Sequence, residues 1–264
     1  MAGYTLQQKQ AIAAQLTRAY HEGETRILEK LAQGNLSEWS MGFYNKQLAT
    51  IRAILAELDK VAARWAQVHI PGLYIEAAKV VDDYLPSLGE FAFERLHAEA
   101  VELLQANLTG RMYAATQVVG RQVADAYRRA GLWAIQQGLI GGETTREVSK
   151  RIVADLRKRG LTAFVDKRGR EWNLRNYADM VAQTTTMEAE LQGTANRLLE
   201  AGEDLVQISE HLDECERCRP WEGKIISLTG ATKGYPTLEE AKAAGLFHPR
   251  CLHAMRPWTG NARE

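Results

Sequence analysis

Apolar residues recur at intervals of three and four along most of the first 160 residues. The clearest series is Leu48, Ile51, Leu55, Leu58, Ala62 and Trp65. This spacing puts the apolar side chains on one face of an α-helix, and we expect that face to pack against neighbouring helices. Asn35 or Ser37 would cap the start of this helix, and the pair Pro71-Gly72 is expected to break the chain after it.

The same pattern predicts helices on both sides of this one. One runs from about Thr5 to Gln33, and a short one from about Tyr74 to Tyr84. A helical stretch opening at Pro86 is expected to end near Gly110. Two more helices are predicted over residues 112–139 and 144–159. Residues 1–160 are therefore expected to form a long helical region.

The pattern changes after Gly160. The segment Thr162–Trp172 has apolar residues on both sides of a charged turn that contains Gly169, which predicts a β-hairpin. Asn173 then fits the N-cap of a long helix over about 174–201, and Gly202 fits its C-terminal stop.

Short strands are predicted only beyond this helix. Asp204–Ser209 and Gly223–Leu228 are two short apolar runs of strand character. Thr237 and Glu240 form a capping box that starts a short helix. The predicted fold is therefore mostly α, with a helical domain in residues 1–160 and a small α+β module in residues 161–264.

Composition and charge exclude several classes of protein. The chain has 264 residues, of which 45% are hydrophobic and 25% charged, and 33 basic residues balance 33 acidic ones. This is an ordinary globular composition, so disorder of the bulk of the chain is excluded. A neutral total also argues against a surface that coats nucleic acid everywhere. No apolar run reaches the ~18 residues of a membrane span, and no secretory signal is recognised, so we expect synthesis in the cytoplasm.

The three cysteines and one histidine form two equally spaced pairs near the end of the sequence. Cys215 and Cys218 are separated by two residues, and so are His248 and Cys251. Two such pairs on either side of a structured loop are typical of a tetrahedral metal site. Thiolate and imidazole ligands favour Zn²⁺, and a closed set of four ligands would make the site structural rather than catalytic. The short strands are thus expected to surround a zinc site.

Other assignments of these residues stay open. His211, four residues before Cys215, or His253, two residues after Cys251, could replace His248 as the fourth ligand. The cysteines could also be reduced thiols in a small core, or one could form a catalytic pair with a histidine. No P-loop, dinucleotide-binding, zinc-protease or serine-hydrolase motif is found, which favours a protein that is not an enzyme.

A second candidate site is a local excess of positive charge. Residues 150–175 contain nine basic and three acidic side chains. The basic residues considered for binding are Arg157, Lys158, Arg159, Lys167, Arg168 and Arg170. They could contact DNA phosphates or an acidic partner. The alternative is a solvated surface with cations near a helix C-terminus, where the helix dipole favours them.

Several short motifs extend through residues 162–257. Before the cysteines stand Val165-Asp-Lys-x-Gly169-Arg-x-Trp172, Tyr177-Ala-Asp-Met180-Val and Thr184-Thr-Thr186. Around them stand Asp204-Leu-Val-Gln-Ile-Ser209, Cys215-x-x-Cys218, Trp221-x-Gly223-Lys224, Tyr235-Pro-Thr-Leu238 and Gly245-Leu-Phe-His-Pro-x-Cys251-x-His253. Together they resemble the second type of phage minor capsid protein, related to the Mu-type head morphogenesis proteins. Leu252 stands where that family usually has Arg.

The resemblance implies a structural protein of the virion. Such proteins enter the procapsid in small numbers, associate with the portal protein and other capsid components, and act in head assembly or travel with the DNA. It implies no enzymatic activity and a position inside the capsid near the portal. Two other functions stay open: a zinc-containing DNA-binding protein for packaging or ejection, and a cysteine-dependent hydrolase of capsid maturation.

Overall fold

The computed structural model describes residues 3–33, 41–89, 91–140, 160–210 and 215–258, together with residues 154, 156, 158 and 260. The helices are α1 (Leu6–Gln33), α2 (Met41–Tyr84), α3 (Arg95–Ile140), α4 (Leu174–Glu200) and α5 (Leu238–Ala243). The strands are β1 (Thr162–Val165), β2 (Glu171–Asn173), β3 (Leu205–Ile208), β4 (Ile225–Ser227) and β5 (Met255–Pro257). The mostly α fold with a few short C-terminal strands is confirmed. None of the described helices is long and apolar enough to cross a membrane.

Two predicted helix boundaries in the first half are wrong. Helix α2 continues through Pro71, so no separate helix begins at Tyr74. Ile70, Leu73 and Tyr74 are fully buried, and this packing outweighs the roughly 3 kcal/mol that an interior proline costs a helix. Similarly, α3 continues through Gly110.

The start of α3 also differs from the prediction. Pro86–Leu88 form a single 3₁₀ turn, and the long helix begins only at Arg95. The predicted cap at Asn35 or Ser37 lies outside the described residues. So does most of the predicted helix 144–159, of which the described residues 154, 156 and 158 are helical.

The chain divides into two compact units. The second unit comprises Ala14–Arg64 and Thr109–Asp179 and includes the hairpin of β1 and β2. In its core the hydroxyl of Tyr20 donates to the carbonyl of Leu58 over 3.1 Å. The carboxylate of the buried Glu24 accepts a 2.7 Å hydrogen bond from the backbone N–H of Leu161, which fixes the start of the hairpin.

The first unit comprises Met1–Ala13, Trp65–Leu108 and Met180–Glu264. It contains a three-stranded antiparallel sheet in the order β4-β3-β5. Strands β3 and β4 confirm the two predicted strand regions, whereas β5 was not expected. Helix α4 begins as predicted, because Asn173 Oδ1 accepts a 2.8 Å bond from the N–H of Asn176. The capping box of Thr237 and Glu240 is also confirmed.

Helices α2 and α4 approach each other very closely within the first unit. A Cβ atom at Gly193 would lie 2.3 Å from the backbone carbonyl oxygen of Tyr74. Beside this contact the Tyr74 hydroxyl lies 2.8 Å from Nδ1 of the buried His97 and accepts a 2.7 Å bond from Asn196. His97 Nε2 in turn lies 2.6 Å from the carboxylate of Glu200. This network fixes how α2, α3 and α4 pack in this unit.

Candidate metal centre

Both predicted ligand pairs lie on tight turns. The N–H of Cys218 donates to the carbonyl of Cys215, and the N–H of Cys251 donates to the carbonyl of His248, each over 2.9 Å. These are bonds between residues i and i+3, as in a β-turn. Arg250 has a φ of 66°, and with Pro249 before it this matches the middle positions of a type II turn. The two-residue gap therefore puts both ligands of each pair at the ends of one turn.

The sheet brings the two turns together. The first turn follows β3, and the second precedes β5. Ile208 pairs with Met255 in the sheet, and the N–H of Ser209 donates to the carbonyl of Ala254 over 2.9 Å. Cys218 and Cys251 are consequently buried in the hydrophobic core of the first unit. Pairing of β3 with β5 is thus the reason that residues far apart in sequence share one site.

The side chains form two overlapping groups of metal-binding type. One group is Cys215, Cys218 and His248, the other is Cys218, Cys251 and His253, and within each the ligand atoms lie within 4.8 Å of one another. These five residues could hold a metal ion. Because Cys218 belongs to both groups, it is the central residue of the cluster.

The distances between ligand atoms fit a tetrahedral ion. The Sγ atoms of Cys218 and Cys251 are 3.7 Å apart, and metal–sulfur bonds of about 2.3 Å separate two thiolates by about 3.8 Å. Nδ1 of His253 lies 3.4 Å from Sγ of Cys251, where about 3.5 Å is expected for such an ion. Nε2 of His248 lies 3.0 Å from Sγ of Cys215, somewhat closer than that.

In both His248 and His253, one ring nitrogen lies next to a cysteine sulfur and the other lies next to an oxygen atom that accepts hydrogen bonds. His248 Nδ1 lies 2.8 Å from the carbonyl oxygen of Pro249, and His253 Nε2 lies 2.8 Å from the carboxylate of Glu222. Because a carbonyl oxygen and a carboxylate accept hydrogen bonds, a neutral imidazole carries its proton on that side. The sulfur-facing nitrogen of each ring then has a free electron pair, which is the arrangement found in metal-ligating histidines.

The thiols of the first pair differ in acidity. Hydrogen bonds from backbone N–H groups, foremost that of Arg217, together with nearby His248, lower the pKa of Cys215 to about 7. Burial, reinforced by the neighbouring Cys251, raises the pKa of Cys218 to about 12. Without a metal, the half-buried Cys215 is therefore the more readily ionised thiol of this pair.

The structure thus brings together the four candidate ligands expected first, Cys215, Cys218, His248 and Cys251, and places His253, one of the two alternatives for the fourth, in the same cluster. His211 lies outside the described residues. Sequence analysis missed Glu222, the carboxylate partner of His253. Glu222 belongs to no recognisable motif in the sequence. It lies beside His253 because β4 and β5, which follow these two residues, belong to the same sheet.

The predicted basic residues are only partly available to a partner. Lys158, Lys167 and Arg168 are exposed. Arg170 is exposed as well, but it forms a 2.6 Å ion pair with Asp166 in the hairpin turn. Hydrogen bonds from Arg170 and its backbone N–H lower the pKa of Asp166 to about 2, so this carboxylate is charged at neutral pH. Arg157 and Arg159 lie outside the described residues.

Comparison with known proteins identifies a family. Neither the curated proteins nor the solved structures contain a significant match to this chain. The sequence model of a family described as Phage minor capsid protein 2 matches residues 8–261. Because this match covers nearly all 264 residues, it confirms the resemblance carried by residues 162–257, and the chain belongs to the phage minor capsid protein 2 family.

Proposed function

We propose that this protein is a non-enzymatic component of the phage head that acts in procapsid assembly at the portal. Family membership gives it a structural role in the capsid, a place in the virion and capsid components as partners. The observation that carries the proposal is the family match, which includes residues 8–160 as well as the C-terminal module. In this proposal residues 1–160 make the assembly contacts, and residues 161–264 form the metal-containing module.

The portal as partner is tested with the purified full chain. It is mixed separately with the portal protein and with the major capsid protein of the same phage, and complexes are separated by size-exclusion chromatography. We expect co-elution with the portal protein and a low copy number per purified particle. Co-elution with the major capsid protein alone would overturn the assignment to the portal.

We further propose that the Cys/His cluster holds a structural Zn²⁺ ion. Cys215, Cys218 and Cys251 would supply three ligands, and His248 or His253 the fourth. Support for His253 comes from its burial and its carboxylate partner, since such a partner orients the ring and strengthens it as a ligand. A closed set of four protein ligands leaves no position for a catalytic water. Such a site can contribute on the order of 10 kcal/mol to the folding of its module.

Metal content is the direct test of this site. Protein purified without chelator or nickel affinity should contain one zinc per chain by mass spectrometry. The variant Cys215→Ser/Cys251→Ser should contain none. A metal-free wild-type protein with three titratable thiols would contradict the proposal.

A cysteine-dependent hydrolase makes a different prediction. Cys215 is the only half-buried thiol, and it has a lowered pKa and His248 at 3.0 Å. A catalytic nucleophile at this position would react rapidly with iodoacetamide in the native protein. We expect the opposite: a zinc-bound thiolate is protected and becomes reactive only after chelation. Fast alkylation of the zinc-loaded protein would support the hydrolase.

DNA contact is the second candidate function, and the exposed hairpin turn favours it. Lys167 and Arg168 are exposed there, and neither forms an ion pair with another described residue. Asp166 accepts hydrogen bonds from the backbone N–H groups of Arg168 and Arg170, which fixes the turn. A fixed turn that presents two cations suits contact with phosphates. Loss of DNA binding in the variant Lys167→Ala/Arg168→Ala would support this contact.

A further inference from the structure

We propose that a groove in the second unit, lined mostly by charged and polar residues, binds the phosphate backbone of nucleic acid, which deepens the second candidate function. The groove lies between α3 and the hairpin of β1 and β2 and has a volume of about 570 Å³. Three arginines of α3 line it, Arg121, Arg128 and Arg129. We call it the arginine groove. None of these arginines belongs to the basic segment recognised in the sequence.

The arginines lie along one side of a helix whose position against the hairpin is fixed. Arg121 and Arg128 are seven residues apart, which is two helical turns and about 10 Å along the axis. Between them, Gln122 binds the hairpin: its Oε1 accepts a 2.9 Å bond from the N–H of Thr162. The side-chain amide of Gln122 also donates to Thr162 Oγ1 over 3.4 Å. The two walls of the groove are therefore held together before any ligand binds.

The charge in the groove is only partly neutralised. Arg128 pairs with Asp125 over 2.8 Å, and the carboxylate of Glu171 accepts a 3.0 Å bond from Thr162 Oγ1. Within the described part of the chain, neither Arg121 nor Arg129 forms an ion pair, and both are exposed. Counting the described residues, the lining carries three positive side chains and two negative ones, Asp125 and Glu171, so a small excess of positive charge remains in the groove.

The chemistry of the lining favours nucleic acid over a protein partner. Among the described residues that line the arginine groove, only Val118 is apolar, whereas protein interfaces depend on buried apolar anchors. Guanidinium groups bind phosphate oxygens through two parallel hydrogen bonds. Lys167 and Arg168 extend the positive charge along the same hairpin. A chain located in a virion also lies near a concentrated phosphate polymer.

Fluorescence anisotropy of the full chain tests the inference. The probe is a short fluorescein-labelled DNA duplex, titrated across a series of salt concentrations. We expect Arg121→Ala/Arg129→Ala to weaken binding roughly tenfold at low salt. It should also reduce the slope of log affinity against log salt by about 2, one for each lost phosphate contact. Circular dichroism confirms that each variant keeps its helical content.

A matched control separates the groove from total charge. Arg52 and Arg64 are exposed on α2 within the same unit, so Arg52→Ala/Arg64→Ala removes the same charge elsewhere. The control should bind DNA like the wild type. Equal losses in both variants would overturn the proposal.

Two further outcomes also count against the groove. If Lys167→Ala/Arg168→Ala abolishes binding while Arg121→Ala/Arg129→Ala does not affect it, the hairpin turn alone contacts DNA and the groove does not. If polyglutamate binds through Arg121 and Arg129 while DNA does not bind, the ligand is an acidic polypeptide.

Discussion

The carboxylate of Glu222 lies 2.8 Å from Nε2 of His253, while Nδ1 of the same ring faces the sulfur of Cys251. This relationship links a residue just before β4 to a candidate ligand just before β5. A carboxylate at this position orients the imidazole and increases its basicity as a metal ligand. Glu222 should therefore affect zinc binding without touching the ion.

Substitution Glu222→Gln should weaken zinc affinity by about 10- to 100-fold. The amide keeps the size of the side chain but loses the negative charge that supports the ring. Affinity is measured by competition with a chromogenic chelator. The control is Glu216→Gln, which removes an exposed carboxylate from the turn between the first two cysteines. Equal affinities in the two variants would show that the Glu222–His253 pair does not support the site.

Single substitutions should identify the fourth ligand. Cys218→Ser should abolish zinc binding, because Cys218 belongs to both groups of ligands. His253→Ala should also lose zinc, whereas His248→Ala should retain it with reduced affinity, since His248 is the less buried histidine. Zinc content after dialysis is the measurement. Loss of zinc from His248→Ala alone would make His248 the fourth ligand, and retention by Cys218→Ser would contradict the cluster as a whole.

Two glycine substitutions should change stability in opposite directions. Gly193→Ala places a Cβ 2.3 Å from the carbonyl oxygen of Tyr74, so α2 and α4 must move apart, and we expect a loss of about 1–3 kcal/mol or more. Gly110→Ala meets nothing within 4 Å inside α3 and should gain about 0.5–1 kcal/mol from helix propensity. Urea unfolding of both variants measures the difference. Similar urea midpoints for the two variants would show that the close contact between α2 and α4 does not restrict the residue at position 193.

The carboxylate of Asp204 should stabilise the loop after β4 in a pH-dependent way. It is partly buried, which raises its pKa, but hydrogen bonds from Ser227, Thr229 and the N–H of Thr232 outweigh this and hold the pKa well below the ordinary 3.8. The charged form is therefore the one that stabilises the fold. Asp204→Asn should cost about 1–2 kcal/mol at neutral pH.

The sign of this effect follows from the lowered pKa. The wild type should exceed Asp204→Asn in free energy of unfolding by the full amount at any pH above the ordinary carboxyl pKa. This difference is lost as the pH falls below about 4 toward the lowered pKa of Asp204 in the folded protein. Urea unfolding of wild type and Asp204→Asn at neutral and acidic pH measures it. A difference that grows on acidification would contradict this role of Asp204.

Local signals in the sequence were sufficient for several elements. The hairpin, the cap at Asn173 and the capping box at Thr237 depend on residues close to one another, so they could be predicted. The continuation of α2 through Pro71 could not, because burial of neighbouring side chains decides it. Strand β5 is only three residues long, includes Pro257, and becomes a strand by pairing with β3. The formation of β5 therefore depends on tertiary contacts and could not be predicted from the local sequence.

The same distinction applies to the two candidate sites. The equal spacing of the two pairs predicted that the cysteines and His248 lie close together, because each spacing corresponds to one turn. The choice between His248 and His253 depends on burial and on Glu222, which no spacing reveals. The arginines of the groove lie within a long helix, where charged residues are ordinary. Only the position of the hairpin places Arg121 and Arg129 in one groove.

The turns that carry the cysteines also offer positions for labelling. Glu216 and Arg217 lie between the first pair, Pro249 and Arg250 between the second, and all four are exposed. The backbone of these four residues forms the turns that position the cysteines and His248, while their side chains are not candidate ligands. A spin label or fluorophore introduced at Glu216 would therefore lie beside the Cys/His cluster without replacing a candidate ligand. Such a probe could report metal loading and incorporation into the head in real time, in a protein with its cluster intact.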